Sequence, residues 1–209
     1  ENARTVGLEH LVLHSMEQLK LKEVLKDAGL DESKTALAVG SICARAIAPN
    51  SERASLEWLQ NTSGLGELLD YDFRECSLTQ FYRISDVLIR HKETIEKHIV
   101  SIQNQQFPRT TSIVLYDLTN TYMEGQALDN PKACYGHSKE KRTDCPLITL
   151  GIAIDEHGFL LRSKFLPGNV SEPSSLQEAI GSLIDPEQLF QPTVLMDSGI
   201  ATEANLQWL

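Results

Sequence analysis

Apolar residues recur at helical spacing over roughly the first half of the chain. Leu8, Leu11, Val12, Met16 and Leu19 make one series, and Phe81, Ile84, Leu88, Ile95, Ile99 and Ile102 make another. Spacings of three and four place such residues on one stripe of a helix. The punctuation agrees, because Gly29, the Pro49-Asn50 pair and Gly64 fall between the periodic segments. Ser77 stands three residues before Gln80, the spacing of a capping box, just ahead of the Phe81 series. Residues 1–106 are therefore expected to form a helical N-terminal domain.

At Phe107-Pro108 the pattern changes. Residues 112–118, 147–154 and 158–166 are short β-branched and apolar runs, and the second and third are joined by Asp155-Glu156-His157-Gly158, a turn suited to a hairpin. Ser171 with Pro173 reads as a helix start, and Leu176, Ala179, Ile180, Leu183 and Ile184 give that helix one buried face. A strand follows over residues 193–196, then a helix from about Thr202. A hairpin pair is antiparallel, whereas a strand returning after a crossover helix is parallel to an earlier one. The expected fold is α+β, or mixed α/β, with residues 107–209 forming a mixed sheet and flanking helices.

That topology gives two acids a common address. Asp117 and Asp197 each close an apolar run. If their strands are parallel neighbours, the two carboxylates lie about 5 Å apart at the same end of the sheet. Buried side by side they would repel and lose hydration, so one must be protonated or a cation must sit between them. Carboxylate oxygens suit a hard divalent ion, Mg²⁺ or Mn²⁺, which keeps positions open for water and phosphate oxygens. For a lone Asp after a strand the ordinary reading is a cap or a turn. It is the pair that points to phosphodiester chemistry.

Bulk properties narrow the classes. The chain has 209 residues, 41% hydrophobic, with net charge −10. Residues 1–110 carry 13 basic against 16 acidic side chains and residues 111–209 carry 6 against 13, so neither half is a basic body that binds nucleic acid by charge alone. The sequence contains no membrane span and no signal-peptide pattern at its start, which makes a cytoplasmic location the expectation. The first residue is Glu and the last residues read as an unfinished helix, the pattern expected of a fragment. Cys43, Cys76, Cys134 and Cys145 form no dense framework and are read as free thiols. Cys134, His137 and Cys145 offer three zinc ligands without a fourth, and His10 and His14, one helical turn apart, are read as surface histidines.

Four segments carry a resemblance: YDLTNTYMEG at 116–125, YGHSKEKRTDCPLITLGIAID at 135–155, FLPGNVSE at 165–172 and VLMDSGIAT at 194–202. Together they resemble the catalytic core of bacterial insertion-sequence transposases of the DDE type, whose fold is ribonuclease-H-like, over about residues 110–209. The helical half, residues 1–106, is similar, more weakly, to the N-terminal part of such proteins, which makes it a candidate DNA-binding domain. The resemblance implies that Asp117 and Asp197 are the first two acids of the catalytic triad. It also implies two Mg²⁺ or Mn²⁺ ions in a complete site, element ends and target DNA as partners, and a homodimer on DNA. The third acid, a Glu further along on a helix, has no counterpart here, nor has the Tyr, Arg, Glu and Lys pattern around it. No cleavage by this chain alone is therefore expected.

Further residues follow from the same segments. Lys139, Lys141 and Arg142 lie in a basic loop between the first two strands and are candidate DNA phosphate contacts, the alternative being a solvated loop. Asn120 and Thr121 are candidates to line the metal site, or turn residues. Gly168 to Glu172 reads as a turn plus helix cap. Two rival functions stand beside the transposase. One is a decayed transposase that binds DNA or a partner without cutting. The other is a haloacid-dehalogenase-like phosphatase with Asp117 as nucleophile and Thr121 as phosphate contact, although that site usually has a second Asp where Thr119 stands and sits on a parallel sheet.

Overall fold

A computed structural model of the protein describes residues 3–108, 113–136, 143–170, 175–177, 180–181 and 193–209. The chain divides into two units, Glu1–Gln103 and Asn104–Leu209. The first is helical and the second is built on a sheet, an α+β fold.

The first unit contains α1 (Gly7–Gln18), α2 (Leu21–Asp27), α3 (Glu32–Ile47), α4 (Glu52–Asn61), α5 (Leu65–Leu69), a 3-10 turn (Phe73–Glu75) and α6 (Leu78–Arg90), and α7 (Lys92–Gln106) begins in it. Side-chain caps start several of these helices. Asp31 accepts from Lys34 N at 2.8 Å and Ser51 from Ala54 N at 3.3 Å. At α6 the capping box expected from Ser77 and Gln80 is complete. Each cap satisfies a helix donor that water would otherwise have to serve. The interior is one apolar cluster that includes Leu25, Val39, Cys43, Leu59, Leu65 and Phe81.

Helix α1 departs from its expected stripe. Leu8 and Leu11 are exposed, whereas Glu9 is fully buried together with Leu13 and Met16. The reason is polar. Thr5 Oγ1 and Ser63 Oγ each donate to Glu9 Oε1 at 2.8 Å, and Thr5 pairs with Ser63 in a parallel bridge closed by Thr5 N to Thr62 O and Gly64 N to Thr5 O. Those bonds turn the Glu9 face inward, and Leu8 and Leu11 are carried outward with the rotation. His10 and His14 are exposed, as read from the sequence.

The second unit is a four-stranded sheet in the order β3-β2-β1-β4, from β1 (Ile113–Tyr122), β2 (Leu147–Ile154), β3 (Leu160–Pro167) and β4 (Thr193–Met196). β1 is antiparallel to β2 and parallel to β4, and β2 is antiparallel to β3. This is the mixed topology expected from the element order. The hairpin turns where the sequence put it. Asp155 Oδ1 accepts from His157 N and Phe159 N, and Gly158 takes φ +84, a conformation costly for a residue with a Cβ. β1 runs four residues past the expected end at Leu118, because Thr119 to Tyr122 continue to pair with β2.

Alternation along these strands makes two unlike faces. Val114, Tyr116, Leu118, Leu147, Ala153 and Leu166 are buried on one of them, where the Tyr116 hydroxyl donates to Ser175 at 3.1 Å. Leu176 and Ile180, in the helical residues that follow Ser175, are fully buried as expected, while Ala179, Leu183 and Ile184 lie outside the described residues. On the other face Ile148, Leu150, Ile152 and Ile154 are half-buried, and Leu115, Phe165 and Leu195 are exposed. After β4 the chain turns at Asp197 and enters α8 (Glu203–Trp208), capped by Thr202.

Two of the segments singled out in the sequence are clasped together. Cys134 and Leu147 exchange backbone hydrogen bonds of 3.0 and 2.8 Å, and Gly168 N donates to Lys132 O at 3.0 Å. The Lys132 ammonium donates to Phe165 O. A Cβ on Gly136 would lie 2.1 Å from Gly168 O, and one on Gly168 would lie 2.2 Å from Leu147 O. Gly136, at the root of the basic segment, thus packs on the turn that ends β3, and only glycine fits either place.

Candidate metal centre

Asp117 and Asp197 come together as the topology requires. Tyr116 and Met196 are register partners on the parallel strands β1 and β4. The acids are the next residue of each chain, so their backbones lie about 5 Å apart. In-register neighbours of parallel strands project to the same face. Accordingly Leu115, Asp117, Ile152, Ile154, Leu195 and Asp197 all line one open groove of about 700 Å³. It is an apolar trough with two carboxylates at one end, and these are the only acids among the described residues lining it.

One expectation about the pair needs correction. Asp117 and Asp197 are exposed, not buried. Asp117 belongs to the solvent-facing set of β1, with Leu115, Thr119 and Thr121, and the buried set is Val114, Tyr116 and Leu118. Repulsion between two such charges about 4 Å apart in water is only on the order of 1 kcal/mol. A cation is thus invited by geometry and ligand chemistry rather than forced by desolvation. The donor set fits Mg²⁺ or Mn²⁺: both groups are hard oxygen donors, and an open face leaves room for the waters such ions retain.

The two acids are held differently. Asp117 sits inside β1, between Ile152 of β2 and the end of β4. Asp197 closes β4 and opens a turn, in which Ile200 N and Ala201 N donate to its carbonyl at 3.0 and 3.1 Å. Its Oδ1 accepts from Ser198 Oγ at 3.1 Å and from Gly199 N at 3.3 Å. Ser198 was not among the residues singled out from the sequence, although Asp-Ser-Gly after a strand is itself a turn signal. Thr119 was missed too. It is exposed on the Asp117 face one alternation further along β1.

Of the other sequence candidates, Asn120 and Thr121 do not join the pair. Asn120 projects to the opposite face, where its Oδ1 accepts from the buried Thr149 hydroxyl at 2.9 Å. Thr121 shares the Asp117 face but stands four residues along an extended strand, about 13 Å away. Lys139, Lys141, Arg142 and His137 lie outside the described residues. Of the zinc candidates that are described, Cys134 is half-buried and Cys145 buried, both free thiols.

A different group of potential ligands, Asp155, Glu156 and His157, clusters within 4.8 Å. These are consecutive residues of the β2–β3 hairpin, and Asp155 Oδ1 is already engaged by two backbone amides of that turn. The cluster is accounted for by the turn.

No described helix is long and apolar enough to cross a membrane. Compared with family models, curated proteins and solved structures, the chain matches none.

Proposed function

We propose that residues 107–209 carry the first two acids of a DDE-type transposase core, which hold a divalent cation for phosphodiester cleavage and strand transfer on DNA. One observation carries the reading: Asp117 and Asp197 follow register partners on neighbouring parallel strands and open into one groove. The mixed sheet, with β1 between an antiparallel and a parallel neighbour, agrees with a ribonuclease-H-like core. In this reading Asp117 and Asp197 supply one oxygen each to a shared Mg²⁺ or Mn²⁺, and Lys139, Lys141 and Arg142 contact DNA phosphates. When bound, such an ion lowers the pKa of water and stabilises a leaving oxygen. Element ends and target DNA are the proposed partners, a homodimer the proposed assembly and the cytoplasm the proposed location.

Two carboxylates fall short of the ligand set that aligns two ions for in-line attack. The role proposed for these 209 residues taken alone is accordingly metal and DNA binding without cutting.

The phosphatase reading draws less support. It needs Thr121 and Asp117 on one phosphate, yet β1 stays extended through Tyr122 and separates them by about 13 Å. It also needs a parallel sheet, and β1 is antiparallel to β2.

Titration with Mn²⁺, followed by electron paramagnetic resonance of the free ion, tests the proposal. The wild-type chain is expected to bind Mn²⁺, and Asp117→Asn and Asp197→Asn are each expected to remove that binding. Retention of the ion in both variants would discard this pair as its ligands.

A further inference from the structure

Asp197 ends a strand on an open face, where a carboxylate has several rotamers to sample. Its Oδ1 instead takes two donors, the Ser198 hydroxyl and the Gly199 amide. The turn itself does not need the hydroxyl, because Ile200 N and Ala201 N already close it onto the Asp197 carbonyl. What the hydroxyl engages is the carboxylate.

On the reading of the pair as a cation site, we infer that Ser198 is a positioning residue for Asp197: its hydroxyl holds the carboxylate in the orientation in which it and Asp117 share one divalent ion. The amide donor alone fixes one direction on Oδ1. The hydroxyl adds a second from the following residue, and two donors on one oxygen restrict rotation of the carboxylate about χ2 as well as about χ1. Partners that orient a ligand in this way commonly change metal affinity by about 10-fold to 100-fold when removed. Because Gly199 N stays in place, the effect of losing Ser198 belongs at the lower end. Ser198 is exposed, so its replacement leaves no buried hole.

Mn²⁺ titration of the 209-residue chain carries the test, with wild type, Ser198→Ala, Ser198→Thr and Asp197→Asn compared at one pH. Ser198→Ala is expected to weaken Mn²⁺ about 10-fold, Ser198→Thr to stay within about twofold because it keeps the hydroxyl, and Asp197→Asn to lose the ion. Urea midpoints of Ser198→Ala and wild type should coincide, which separates positioning from a general loosening of the sheet. Unchanged Mn²⁺ affinity in Ser198→Ala, with Asp197→Asn still defective, overturns the role of Ser198 and leaves the acid pair standing. Failure of the wild-type chain to bind Mn²⁺ overturns both.

Discussion

The Ser63 hydroxyl donates to the buried carboxylate of Glu9 across 54 residues of sequence, at 2.8 Å. With the Thr5 hydroxyl on the same oxygen, this bond ties the start of α1 to the segment between α4 and α5. Truncation in Glu9→Ala would leave the buried Ser63 hydroxyl without its acceptor, at a cost of about 2 kcal/mol. Glu9→Gln keeps an acceptor oxygen and should cost less. Urea denaturation monitored at the helical circular-dichroism band distinguishes the two; equal midpoints for Glu9→Ala and wild type would show that the carboxylate does not anchor α1.

The same residue marks a limit on what could be read from the chain. Periodicity found α1 but assigned its inner face to Leu8 and Leu11, because a hydrophobicity pattern cannot foresee that Thr5 and Ser63 will draw a glutamate inward. The sheet was more legible. Its hairpin, its returning strand and the meeting of Asp117 with Asp197 follow from element order and chain handedness, which are encoded locally. The exposure of the acids was legible too, since Asp117, Thr119 and Thr121 alternate with Tyr116 and Leu118, yet adjacency to an apolar run suggested burial. That alternation also excludes Asn120 from the Asp117 face. Ser198 and the clasp of Gly136 on Gly168 depend on contacts that no spacing rule encodes.

The clasp gives a prediction about the sheet unit. In Gly168→Ala the new methyl group meets two backbone carbonyls, Leu147 O at 2.2 Å and Cys134 O at 2.5 Å. Neither can swing aside as a side chain would, so strain of about 3 kcal/mol is expected. Gly7→Ala is the control, because nothing lies within 4 Å of its added Cβ. Thermal unfolding of the two variants should separate them by several degrees, and a Gly168→Ala protein as stable as Gly7→Ala would mean that the clasp is loose in solution.

Thiol chemistry probes burial in both units. Burial, with the charge of Glu9 adding to it, pushes the Cys43 thiol up to about 12. Burial also raises Cys76, whereas Cys134 is half-exposed. The thiolate is the reacting species, and a group titrating near 12 is thiolate in only about one part in 10⁴ at pH 8. Maleimide at pH 8 should therefore modify Cys134 first and leave Cys43 intact until the helical unit unfolds. Because the shift is upward, raising the pH toward 10 should still leave Cys43 far behind Cys134. Peptide mapping after timed quenching reads the order, and early labelling of Cys43 in folded protein would contradict its burial.

The proposed DNA contact is tested through salt. Net charge is −10, so a nonspecific pull from the whole chain is absent and any DNA affinity must come from a local set of cations. Each phosphate contact contributes about 0.9 to the slope of log affinity against log salt, because it releases a condensed counterion. Replacing Lys139, Lys141 and Arg142 together with Ala should therefore weaken duplex binding and flatten that slope by about 3. Asp117→Asn should leave the slope unchanged, since the amide alters the proposed cation site and removes no phosphate contact. Fluorescence anisotropy with a labelled duplex over a salt series reads both quantities. Loss of affinity without a change of slope would mean that the three side chains act on folding and make no phosphate contacts, and an unchanged isotherm would take the segment out of the interface.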